Sequence, residues 1–70
     1  MKEYVILKLR LSEGLSQRDF KIKFKTTISD LFNEELKKLI GLKLITIEND
    51  YIKLTGKGKD FANIVWQEFV

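Results

Sequence analysis

The sequence predicts an α+β, mainly helical chain: three helices, a two-stranded hairpin over about residues 44–54, and a C-terminal helix. Ile45 and Ile47 alternate with Thr46 and Glu48, and Ile52 and Leu54 alternate with Tyr51 and Lys53, the period-two pattern of half-buried strands. Phe32, Leu36, Leu39 and Ile40 fall at i, i+4, i+7 and i+8, the spacing of one helix face. A second such stripe, Phe61, Ile64, Val65 and Phe69, closes the chain.

The hairpin carries its own register. With Asn49-Asp50 as a two-residue loop, Glu48 faces Tyr51, Ile47 faces Ile52, Thr46 faces Lys53 and Ile45 faces Leu54. Both apolar pairs then share a face, and a one-residue slip of either strand would separate them. Asn and Asp tolerate the positive φ such a turn needs. Thr55 ends the second strand and is placed to cap the helix that follows.

Residues 2–11 fit two templates. Val5, Leu7, Leu9 and Leu11 alternate as in a strand, whereas Tyr4, Leu7 and Leu11, with Val5 and Leu9 nearby, fit a helical face. Gly14 is a plausible helix stop and favours the helix. Ser16-Gln17-Arg18-Asp19 has capping-box spacing, so a second helix starts near Gln17, with Phe20 and Phe24 on one face. Lys25-Thr26-Thr27 breaks the chain, and Thr27 or Ser29 caps the third helix, whose stripe Ile28 and Leu31 extend. Gly41 is expected to stop that helix. The last helix adds a neighbouring stripe of Ala62, Trp66 and Val70, a wide apolar surface for a terminal helix. The order is winged-helix-like, in one expected domain over residues 1–70.

Seventy residues bury only ~60% of the surface exposed on unfolding, so the margin of stability is thin. At 44% apolar and 33% charged the composition is globular. No apolar run approaches the ~20 residues of a membrane-spanning helix, and the first residues are charged too early for a signal peptide. Without Cys or His, the chain lacks a disulfide framework, Cys/His zinc sites, thiolate-ligated iron–sulfur clusters and a Ser-His-Asp triad. A cytoplasmic location fits the absence of cysteine.

A winged helix suggests duplex binding, with the third helix in the major groove. The charges oppose it. Residues 29–41 hold Lys37 and Lys38 against Asp30, Glu34 and Glu35, a sum of −1, and the hairpin tip Glu48-Asn49-Asp50 is acidic where phosphate contacts need cations. Arg18, Lys21, Lys23 and Lys25 against Asp19 sum to +3, equal to the net charge of the chain, and their spacing spreads them over a solvated surface. Gly56 and Gly58 flank Lys57 at a helix start, an arrangement that attracts anions, but the spacing is not that of a Walker motif and Gly58 also suits close helix–strand packing. Tyr4 and Tyr51 read as edge residues, and Glu34-Glu35 as a solvated pair. Trp66 is either a core flank or an anchor against a partner.

The joint order of Leu9-Arg10-Leu11 with Gly14-Leu15, Phe20 and Phe24, Leu36, Leu39, Leu42 and Leu44, Leu54-Thr55-x-x-Gly58, and Asn63, Val65 and Phe69 resembles the C-terminal domain of oxygen-independent coproporphyrinogen III oxidases and their haem-chaperone relatives. The resemblance covers nearly the whole chain; it departs from the pattern at Gly56, where Pro is frequent, and in lacking a Gly after Phe24. It implies a helix over residues 2–11. It also implies that chemistry resides in a preceding radical-SAM barrel, whose Cys-x3-Cys-x2-Cys motif holds a [4Fe–4S] cluster that cleaves S-adenosylmethionine. None of those residues is in this chain. By resemblance, the chain is an accessory domain detached from that catalytic partner and not itself an enzyme, contacting a tetrapyrrole at most indirectly. The parent would act in porphyrin biosynthesis, as a coproporphyrinogen dehydrogenase, or in haem handling. A DNA-binding winged helix and a stand-alone protein–protein adaptor using Trp66 are the alternatives.

Overall fold

A computed structural model describes residues 1–69. Helix α1 spans Lys2–Leu9, a short strand β1 Leu15–Ser16, and helix α2 Gln17–Phe24. Helices α3, Ile28–Leu31, and α4, Asn33–Gly41, follow. Strands β2, Ile45–Glu48, and β3, Tyr51–Leu54, form the hairpin, and α5, Gly56–Asp60, leads into α6, Ala62–Glu68. The class is α+β and mainly helical.

The hairpin pairs in the register its alternation specifies, from Ile45 against Leu54 to Glu48 against Tyr51. Its turn differs from expectation. Only Asn49 takes a positive φ, 55°. Asp50 instead turns back on the protein: its carboxylate accepts from the Ser16 hydroxyl at 2.5 Å and from the Arg18 amide at 3.1 Å, and its carbonyl accepts from the Gln17 amide at 2.9 Å. The negative charge thus sits at the positive end of α2, where orphan amides need acceptors. Ser16 completes the cap by accepting from the Asp19 amide.

That contact accompanies a third strand that periodicity did not reveal. β1 pairs antiparallel with β3, Leu15 with Ile52 and Ser16 with Tyr51, giving the sheet order β1-β3-β2. A strand of two residues has no period to detect. Gly14 belongs to its approach, and helix α1 has already ended at Leu9. At φ +84° Gly14 occupies left-handed backbone, and a Cβ there would collide with the Ile52 carbonyl.

The core gathers one face of every long element: Val5 and Leu9, Leu15, Phe20, Ile28 and Phe32, Leu36 and Leu39, Leu44 and Ile45, Ile52, and Val65 with Phe69. Several expected faces rotate. In α1 the buried pair is Val5 and Leu9, four apart, while Leu7 is 62% exposed and Leu11 lies outside the core. Leu31 and Ile40 also face outward. Tyr4 wedges between helices, its ring 5.2 Å from that of Phe24, edge-on, and Phe20 and Phe24 meet at 4.7 Å.

The third and last helices, each expected as a single element, both break at a phenylalanine. Phe32 divides α3 from α4 at φ −124°, ψ 36°, and Phe61 divides α5 from α6 at φ −116°, ψ 35°. Their caps are side chains at the predicted places: Thr27 accepts from the Asp30 amide, and Thr55 from the Gly58 amide. Gly41 does not stop α4. It is the last helical residue, and Lys43 takes the left-handed position at φ 62°. The Leu44 amide then donates to the Leu39 carbonyl and the Lys43 amide to that of Ile40, a Schellman arrangement without glycine. Val70, placed by pattern on the second stripe of the last helix, lies outside the described residues.

Candidate docking surface

The junction from Lys43 to Gly58 is held by several bonds at once. Thr55 works in two directions there: its hydroxyl donates to the Lys43 carbonyl at 2.7 Å and accepts from the Gly58 amide at 2.9 Å. Its own amide donates to the Leu44 carbonyl at 3.0 Å. Gly58 is buried against the same carbonyl, with no room for a Cβ between them. Leu54 delivers the chain to this point, half-buried at the end of β3. The α4–β2 turn and the first turn of α5 are therefore clamped together.

On the outer side of the clamp lies an open, apolar groove of about 170 Å³ lined by Leu42, Leu44, Lys57, Phe61 and Ile64. The break at Phe61 leaves its ring 46% exposed, and Leu42 across the groove is 42% exposed. Phe61 was expected on the core face of the last helix. Two glycines and an aspartate precede it in Gly56-Lys57-Gly58-Lys59-Asp60, a weak helix former overall, while the apolar spacing runs on through the break.

The model of the HemN C-terminal domain matches residues 1–61. This chain belongs to that family. It is 31% identical over all 70 of its residues to the heme chaperone HemW of Lactococcus lactis subsp. lactis (strain IL1403), and spans 18% of that protein's length. No solved structure matches the chain.

In this HemN C-terminal domain the remaining singled-out residues are spread over different parts of the structure. Leu9 is buried and Leu11 exposed. Arg10 places its guanidinium 5.4 Å from the centre of the Trp66 ring, joining the end of α1 to α6. Trp66 is half-buried, packed on the edge of the core. Asn63 is exposed on α6. Helix α5, at five residues, is too short to offer an anion site at its start, and the Gly58 amide there is already bonded to Thr55.

The charges also find local uses. Arg18, Lys21, Lys23 and Lys25 are all exposed. Lys23 lies 5.7 Å from the Tyr4 ring centre and Lys8 5.6 Å from it. Glu48 pairs with Lys53 at 3.6 Å, and Lys38 with Glu68 at 2.9 Å. Glu34 and Glu35 sit in the first turn of α4, complementing its dipole.

Among the described residues no group of three or more His, Cys, Asp or Glu converges to hold a metal ion. With no cysteine anywhere in the chain, its residues do not fit a thiolate-ligated cluster. Among the described residues, no helix is long and apolar enough to cross a membrane.

Proposed function

We propose that this chain is a non-catalytic accessory domain that packs against the radical-SAM catalytic part of a HemN/HemW-type protein and helps enclose or position a tetrapyrrole there. The observation that carries the reading is membership of a C-terminal-domain family by a chain that spans 18% of its haem-chaperone relative. The apolar groove and the absence of cysteine and histidine support a docking role over a catalytic one. The [4Fe–4S] cluster and S-adenosylmethionine belong, in this reading, to the catalytic part alone. Likeness to a haem chaperone favours haem handling over coproporphyrinogen oxidation for the parent, and a cytoplasmic location goes with it.

Two measurements test the proposal. Mass analysis of the native gene product should find this sequence within a larger polypeptide; an independent 8.3 kDa product overturns it. Deleting residues 1–70 from the parent should leave its iron content unchanged while weakening haem retention about tenfold. Loss of iron would contradict a non-catalytic role, and unchanged haem retention would remove the enclosing one.

A further inference from the structure

The groove beside Phe61 has three properties that together describe what it seats. Its walls are fixed before anything binds. Leu44 and the first turn of α5 are held by the Thr55 bonds and by the Gly58–Leu44 contact, so docking there orders little additional backbone. Apart from Lys57 the lining is apolar, and its two exposed apolar members, Leu42 and Phe61, come from distant parts of the chain. An aromatic ring held half out of a fixed pocket is the kind of anchor that dominates interface energies. The groove also carries positive charge at its edge. Lys57 lines it. Lys57 forms no ion pair among the described residues, whereas Lys38 and Lys53 both do.

We propose that this groove seats an apolar segment flanked by Asp or Glu from the catalytic part of the same parent polypeptide. The inference rests on the accessory-domain reading and assigns it a face. This chain spans 18% of its haem-chaperone relative, and in that reading the rest of the parent is a partner held permanently at high local concentration. An open groove of this size then suffices where a free partner would need a larger contact. An unpaired cation at an apolar edge, Lys57, selects for an acidic flank and sets the register of the docked segment.

The test uses the full-length parent. A photoreactive benzophenone amino acid replaces Phe61, Leu42 or, as a distant exposed control, Ile22, which is 67% exposed. Positions 61 and 42 should crosslink within the same polypeptide to a catalytic-part peptide containing Asp or Glu beside apolar residues, with at least tenfold higher yield than position 22. Crosslinks from 61 to a second copy of the protein overturn the proposal in favour of self-association. Crosslinks to the catalytic part from 22 but not from 61 or 42 remove the groove while leaving the accessory-domain reading intact. Absence of crosslinks to the catalytic part from all three positions also removes the groove, and the accessory-domain reading then stands or falls on the mass and deletion measurements above. Lys57→Glu should lower the yield at position 61 several-fold at low salt, with the effect fading as salt rises. An unchanged yield removes the acidic flank.

Discussion

Phe32 and Phe61 occupy nearly the same backbone conformation, each at a break between two consecutive helices, yet their side chains end in opposite places. Phe32 is 6% exposed and meets Phe69 edge-to-face at 5.3 Å between ring centres. Phe61 is 46% exposed and forms the wall of a groove. The backbone break only aims the ring; whether it is buried depends on what the rest of the chain brings to meet it. For Phe32 the residue after α6, Phe69, arrives. For Phe61 nothing in the described chain closes over the ring, and the partner is proposed to come from elsewhere in the parent.

The largest effect expected from this contrast is on stability. Phe32→Ala should destabilise the domain by about 3–5 kcal/mol, the range for emptying a core aromatic site, read by urea denaturation. A loss below about 1 kcal/mol would erase the distinction between the two rings. Gly58→Ala comes next: the new methyl meets the Leu44 carbonyl, and a loss of about 1–3 kcal/mol or more is expected for forced overpacking. Should Gly58→Ala melt at the wild-type temperature, the groove wall is not clamped as described. Thr55→Val keeps the shape and removes both side-chain bonds, with an expected loss of about 1–2 kcal/mol. Smallest is Phe61→Ala, expected within about 0.5 kcal/mol of wild type because so much of the ring already contacts solvent. A penalty comparable to that of Phe32→Ala would place Phe61 in the core after all.

The same pair of residues marks the limit of what pattern conveys. Local chemistry was legible: Ser16, Thr27 and Thr55 cap where their spacing placed them, and the hairpin pairs in the predicted register. A cap or a register is decided by residues within a few positions of one another. The helix breaks at Phe32 and Phe61 were not legible, because apolar residues continue at helical spacing through both. Nor was β1, which exists through residues more than thirty positions away. Helix α1 was ambiguous by spacing and was assigned by likeness to the family; its buried face then proved narrower than its apolar content, with Leu7 left in solvent. The groove depends on the break at Phe61, so its residues Leu42, Leu44, Phe61 and Ile64 stand out in the sequence only as apolar pattern and not as one surface.

The Asp50 cap also constrains the order in which the chain folds. Its partners Ser16 and Arg18 lie 34 and 32 residues back along the chain, so the start of α2 is completed by the tip of a hairpin translated much later. A hairpin joined by two residues closes in microseconds, whereas bringing that tip to α2 requires a far longer loop to close. Residues 1–25 therefore emerge from synthesis with only the local Ser16 cap on α2, and the acceptor for the Arg18 amide arrives with the hairpin tip.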